Sequence, residues 1–325
     1  MAALLDVQDL RTTFAGEDGT FAAVDGVSFS VDASRTLGIV GESGCGKSVT
    51  ALSIMGLVPA AGRVTGRVLF EGVDLLQLPA GAMRALRGDR LAMIFQEPMT
   101  SLNPAFTIGE QISEAVLRHR GGTRAAAKAL AIDMLRHVRI PSPERRYDDH
   151  PHRLSGGMRQ RVMIAMALVC GPRLLIADEP TTALDVTIQA QILDLMRMLR
   201  EETGTAIMLI THDLGVIAEI ADDVAVMYAG RVIERAPVDR LFADPQHPYT
   251  IGLLGSVPQM HREQPRLTAI AGQVPAPGAA IAGCRFHPRC PFAIDACRRE
   301  EPSLTEKQPG HFAACLRAPL EVEHA

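Results

Sequence analysis

From residue 36 the chain reads TLGIVGESGCGKSVTALSIMGL, and no other stretch limits its fold as strongly. LGIV is a short buried strand, and SVTALSIMGL continues with apolar residues at helical spacing. Between them Gly41, Glu42, Ser43, Gly44, Cys45, Gly46, Lys47 and Ser48 fit the phosphate-loop pattern G-x-x-x-x-G-K-[ST]. The glycines let successive backbone N–H groups converge on phosphate oxygens, and the start of the following helix adds the positive end of its dipole. Lys47 suits the β/γ-phosphates, and the Ser48 hydroxyl suits Mg²⁺. The expected nucleotide contacts are Gly41, Ser43, Gly44, Cys45, Gly46, Lys47, Ser48 and Val49, with Cys45 a backbone donor rather than a redox thiol.

Composition narrows the setting. The 325 residues are 47% hydrophobic and contain no tryptophan, so aliphatic side chains must fill the core. A net charge of −4 without a long Lys/Arg block gives no support to nucleic acid as a partner. The opening MAALLDVQDLRTTF lacks a basic n-region followed by an apolar h-region. The longest apolar runs, such as SIMGLV and MIAMALVC, fall short of the roughly 18 residues that a membrane-spanning helix needs. The chain is therefore expected to be cytosolic, where thiols stay reduced.

A phosphate loop alone does not separate kinases, GTPases and motor ATPases. Residues 173–185, RLLIADEPTTALD, place an apolar strand directly before Asp178 and Glu179. An acid at a strand end can hold the Mg²⁺ water shell, and the next carboxylate can orient or deprotonate an attacking water. Just upstream, Leu154-Ser155-Gly156-Gly157-Met158-Arg159-Gln160 opens an apolar helix that Ser155 can cap, a second anion-binding helix start. Two such ends on separate segments suggest a nucleotide shared between two copies.

Together these residues carry a resemblance to the ATPase subunits of ABC transporters, specifically those of oligopeptide/dipeptide importers. It runs from Leu5 to the C-terminal cysteines. Gly41–Ser48 resembles the Walker A loop, and Ile176–Glu179 ends the Walker B strand. Gln96 in MIFQEP resembles the Q-loop glutamine, Ser155, Gly156, Gly157 and Gln160 the signature that meets ATP on the opposite subunit, and Ala183-Leu184-Asp185 the D-loop. His212 in AIMLITHD resembles the H-loop histidine, and Phe14 stands where the family stacks an aromatic ring on adenine. The resemblance implies Glu179, His212 and Gln96 as catalytic residues and Ser48, Gln96 and Asp178 as Mg²⁺ ligands. MTSLNPAFTIGEQISEAV after Gln96 and HPYTIGLLGSVP from His247 point to the peptide-importer branch. Two departures, Arg153 before the signature and Ser34-Arg35 before the Walker A strand, carry no chemistry.

The implied protein is an ATP-hydrolysing subunit at the cytoplasmic face of the plasma (inner) membrane, peripheral, powering import of peptides or similar small solutes. Its implied partners are two permeases, a second ATPase (paralogue or self) and an extracytoplasmic solute-binding protein. A nickel or other solute importer of the same family is the alternative. A soluble ABC ATPase of DNA repair or translation is a remoter one, since no long coiled coil interrupts the site and only one motif set is present.

The fold class expected is α/β: a phosphate-loop ATPase core with an antiparallel β subdomain, a helical signature subdomain and a small Cys-rich extension. Residues about 4–35 and 63–75 read as antiparallel strands, about 97–160 as helical, and ADDVAVMYAGRVIERA as a hairpin turning at Gly230. The boundary expected near 245 leaves 1–245 as the ATPase domain and 246–325 as the extension. Within that extension Cys284, Cys290, Cys297 and Cys315 follow C-x5-C-x6-C-x17-C. Four thiolates in a weakly cored cytosolic tail suggest a metal staple. The gaps are wider than usual for zinc and suit an iron–sulfur cluster at least as well. Zinc, free thiols and disulfides remain open, as do His287 and His311 as ligands. The family resemblance implies a [4Fe-4S] cluster.

Overall fold

The computed structural model describes residues 3–320 apart from 17–18, 97–100, 183, 257–269, 277 and 280. The chain forms two compact units. One comprises Met1–Val31, Thr36–Leu76 and Ile210–Ala325; the other comprises Asp32–Arg35 and Gln77–Leu209.

In the first unit, β1 (Leu5–Gly16) and β2 (Gly19–Val31) precede β3 (Thr36–Val40), and β4 (Gly62–Phe70) and β5 (Val73–Asp74) follow the helix Lys47–Ile54. β1 pairs antiparallel with β2 from Leu5↔Val31 to Gly16↔Gly19, and with β4 from Leu5↔Phe70 to Phe14↔Gly62. The sheet order is β2-β1-β4-β5. Val27, Phe29 and Val31 are buried while Ser28 and Ser30 are exposed, the alternation of a sheet with one wet face. These are the antiparallel strands expected at 4–35 and 63–75.

β3 is buried throughout and runs parallel to β9 (Asp223–Tyr228), of which only Asp223 is not fully buried. β9 turns at Ala229-Gly230 into the antiparallel β10 (Arg231–Pro237), the hairpin read from the sequence. The tail supplies two further strands, β11 (Thr305–Gln308) and β12 (His311–Ala313). β12 pairs with β10 at Glu234↔Ala313 and Arg235↔Phe312, so the order within this unit is β3-β9-β10-β12-β11. Residues after 245 thus share a compact unit with the N-terminal strands, and their contacts show no division at that point.

Two contacts explain how a weakly cored tail is held. Glu234, fully buried in β10, accepts hydrogen bonds from His311 Nε2 at 2.7 Å, Gln246 N at 2.6 Å and His247 N at 2.9 Å. His247 caps the helix Pro248–Gly255, its Nδ1 accepting from Tyr249 N at 3.0 Å. Burial holds that imidazole neutral, with its pKa lowered to about 3. The second contact is aromatic: Tyr228, Tyr249 and the tail's Phe286 meet with ring centroids 4.7, 5.2 and 5.4 Å apart. In a chain with few aromatics, this cluster joins hairpin, helix and tail.

In the second unit, β6 (Leu91–Ile94) runs parallel to β7 (Leu174–Asp178), with Leu91 opposite Leu174 and Ile94 opposite Ala177. β8 (Ala206–Thr211), whose residues 206–209 belong to this unit, neighbours β7. The helix Ile108–His119 begins at a capping box of Thr107 and Glu110 and buries Ile108, Ile112 and Val116, one stripe of its surface. The helix Arg124–His137 buries Ala127, Ala131 and Leu135 in the same spacing. These lie in the span expected to be helical, although the unit also contains β6 and β7. Among the described residues, no helix is long and apolar enough to cross a membrane.

Candidate functional site

The phosphate loop leaves the end of β3 and enters the helix Lys47–Ile54. Gly41 has φ 155°, and a Cβ there would lie 2.2 Å from the Met227 carbonyl oxygen. Gly46 caps the helix at φ 101°, a left-handed conformation, and a Cβ there would lie 2.5 Å from the Ala23 carbonyl. No side chain caps the helix, so its first N–H groups are left to an anion. Lys47 is 5% exposed, and its Nζ donates to the carbonyls of Gly41 at 2.6 Å and Glu42 at 3.0 Å. Ser43 and Gly44 are exposed at the tip, Ser48 and Val49 half-buried behind it. Cys45 is buried, and burial raises its pKa, which keeps it a thiol. These groups suit a nucleotide polyphosphate with a cation.

A cavity of about 340 Å³ beside Gly44 is lined by Phe21, Ala22 and Ala23 of β2, Gly230, and Pro275, Ala276 and Ile281 of the tail. Phe14 sits opposite Phe21 in the β1–β2 pairing, and the rings stack at 5.8 Å. Phe21 faces the cavity; Phe14 lies behind it against Gly62. The resemblance points to Phe14, but the β1–β2 register puts Phe21 beside the cavity. His212 is exposed at the turn between β8 and the helix Leu214–Ile220, which Asp213 caps through Gly215 N at 2.8 Å.

The second unit holds the other motifs. Asp178 ends β7 at 3% exposure. Glu179, next in sequence, sits at φ 47°, a left-handed conformation that costs a non-glycine residue energy and persists where its surroundings over-determine it. Its Oε2 accepts from Gln96 Nε2 at 3.2 Å and Thr182 Oγ1 at 2.8 Å. Two residues 83 positions apart are thereby brought together. Ser155 Oγ accepts from Met158 N at 3.3 Å, capping the helix Gly156–Leu168, whose start is exposed at Ser155 and Gly156. A Cβ on Gly157 would lie 2.8 Å from Ile188. Gln160 points inward at 1% exposure, and among the described residues its amide has no hydrogen-bond partner. Asp185 caps the helix Val186–Thr203 through Ile188 N at 2.9 Å, while Ala183 lies outside the described residues. Exposed Arg153 lies 3.6 Å from the largely buried Asp149.

The four tail cysteines line one narrow apolar pocket with Phe286, Phe292 and Leu316. No two described cysteines form a disulfide. Cys315 Sγ accepts the backbone N–H of Arg317 at 3.4 Å. Burial raises the pKa of Cys284, Cys290 and Cys315, that of Cys290 to about 11. His311 is committed to Glu234 and does not line the pocket, which removes it from the expected ligands; His287 does line it. Among the described residues, no group of three or more His, Cys, Asp or Glu side chains is set to hold a metal ion.

Two residues escaped the sequence reading. Tyr249 OH accepts from Glu42 N at 2.9 Å, and Arg289 pairs with the Glu42 carboxylate through both of its Nη atoms. Separations of more than 200 positions leave no periodic trace.

A phosphate loop at a parallel-strand end, with an acid pair ending a second strand, defines a nucleotide-hydrolysing ATPase. The ABC transporter family model matches residues 24–182, and the model of the oligopeptide/dipeptide transporter C-terminal region matches 233–297. The probable peptide ABC transporter ATP-binding protein y4tR of Sinorhizobium fredii is 58% identical over 97% of this chain and 95% of its own length. The oligopeptide transport ATP-binding protein OppD of Salmonella typhimurium is 50% identical over 98% and 94%. A dimeric ATP-binding cassette in a post-hydrolysis state, bound to ADP and phosphate, superposes with a TM-score of 0.65 at 26% identity, covering 72% of this chain and 98% of that one. The chain belongs to the ABC transporter family, among the ATP-binding proteins of peptide transport.

Proposed function

We infer that this chain is the ATP-hydrolysing subunit that energises peptide import by a multi-subunit ABC transporter. The observation that carries this reading is the phosphate loop, with Lys47 sunk among its carbonyls at an uncapped helix start, in a chain that matches peptide-transport ATPases end to end. It works with two permeases and a second ATPase subunit, peripheral to the membrane on its cytoplasmic face, and an extracytoplasmic binding protein delivers the solute. Co-expressed with its permeases, the chain is expected in the membrane fraction with Mg²⁺-dependent ATPase activity. An equally soluble distribution with and without them contradicts the assignment.

Lys47 and the loop N–H groups bind the β- and γ-phosphates. Ser48, Gln96 and Asp178 are the residues that would hold Mg²⁺, which would supply charge neutralisation for the phosphates. Glu179 would orient the attacking water, and Gln96 donates to its carboxylate at 3.2 Å, fixing its direction. His212 contacts the γ-phosphate. Ser155, Gly156 and Gly157 present the exposed helix start to ATP on the opposite subunit, and Asp185 follows across that interface. Gln160 is turned inward, away from that exposed helix start.

The cysteine pocket suits a [4Fe-4S] cluster better than a single zinc ion. The four thiols face one apolar space. Cys315 Sγ accepts the Arg317 N–H at 3.4 Å, the kind of contact that stabilises a thiolate and tunes a cluster's potential. Bound there, a cluster would staple the tail, held by Cys284, Cys290, Cys297 and Cys315. Anaerobically purified protein is expected to contain iron and acid-labile sulfide in equal amounts, and Cys290→Ser to lose both and to digest faster in the tail. Metal-free protein, or stoichiometric zinc alone, contradicts the cluster.

A further inference from the structure

We propose that Arg289 is a positioning residue for the phosphate loop, which makes the cysteine-rich tail a working part of the nucleotide site. The inference rests on the reading of that loop as the ATP site.

Arg289 stands beside Cys290 and 247 positions beyond Glu42, the second residue of the loop. Its side chain is 6% exposed. The guanidinium meets the Glu42 carboxylate as a fork, Nη1 to Oε2 at 2.8 Å and Nη2 to Oε1 at 3.0 Å. Nε donates to the Ala271 carbonyl at 2.8 Å, and Nη2 also to the Gly272 carbonyl at 3.3 Å. A guanidinium placed by this many donors is fixed in orientation, and lysine cannot reproduce the fork.

Glu42 is gripped at its other end as well. Its N–H donates to Tyr249 OH at 2.9 Å, and Tyr249 packs against Phe286, three residues before Arg289. Between those grips the Glu42 carbonyl accepts from Lys47 Nζ at 3.0 Å. The chain of contacts runs from tail to Glu42 to the lysine that meets the phosphates. Charge points the same way: an acid in a polyphosphate-binding loop repels its ligand unless a cation is paired with it. Arg289 both aims this loop residue and cancels its charge.

The test is equilibrium binding of a fluorescent ATP analogue to the full-length chain with Mg²⁺, alongside steady-state hydrolysis. Arg289→Ala is expected to raise the Kd and the KM for ATP about tenfold while kcat stays within about twofold, and Arg289→Lys to recover only part. Glu42→Ala, on the half-buried loop, breaks the same fork from the other side. The double variant is expected to bind no more weakly than the worse single one, because both changes remove one coupled contact. An unchanged Kd in Arg289→Ala, or losses that multiply in the double variant, overturns the proposal. A lower melting temperature and a smaller active fraction with normal Kd would mark Arg289 as structural only, and also overturns it. Failure of the unmodified chain to bind the analogue would instead overturn the ATP-site reading, and this inference with it.

Discussion

Replacing Glu179 with glutamine is expected to lower ATP turnover by about 10²- to 10⁴-fold, the usual range for removing a positioned general base. ATP binding should survive. Glutamine keeps the shape of glutamate and can still accept from Thr182 Oγ1, which lies 2.8 Å from the carboxylate. It loses the charge that polarises water. The left-handed backbone at Glu179 supports the assignment, since conformations of that kind gather where function demands a fixed side-chain direction. Fluorescent-nucleotide binding and phosphate release together check it: near-normal Kd with turnover cut at least a hundredfold is expected. Turnover within threefold of the unmodified protein would remove Glu179 from this role.

The largest expected effect on stability lies far from that carboxylate in sequence. Glu234→Ala leaves His311 Nε2 and the backbone N–H groups of Gln246 and His247 buried without their acceptor. A buried donor left without its acceptor costs about 1–3 kcal/mol. The damage should concentrate where those donors sit, in β12 and at the start of the helix Pro248–Gly255. That helix carries Tyr249, and the tail carries Arg289, so weaker ATP binding should accompany the loosened tail. Limited proteolysis and thermal melting check this. Cleavage after residue 245 should become faster, and Glu234→Gln, which keeps an acceptor oxygen, should be milder. A melting curve that Glu234→Ala leaves unchanged would contradict this account of the tail.

Much of the fold was legible because its signals are local. Apolar runs bounded by the phosphate-loop glycines marked β3 and its helix, and alternation marked β1, β2, β9 and β10. Ser155 announces its helix by side-chain chemistry within three residues. The cysteine spacing was legible as a cluster of thiols, and the four do line one pocket. What was not legible depends on contacts between distant segments. Nothing near residue 311 says that β12 will pair with β10, because the three residues of β12 show no useful period. Arg289 in HPRCP reads as a charge beside a cysteine until the fold sets it against Glu42. Likewise, only the β1–β2 register puts Phe21, not Phe14, beside the cavity at Gly44.

The central claim is that ATP hydrolysis by this chain drives peptide import. It is tested most directly by reconstituting the chain with both permeases, its partner ATPase and the binding protein in liposomes, then measuring uptake of a labelled peptide. Uptake is expected to require Mg²⁺-ATP on the cytoplasmic face and to fall to background when this subunit carries Glu179→Gln. Uptake that continues without ATP, or that is unchanged by this substitution, would contradict it.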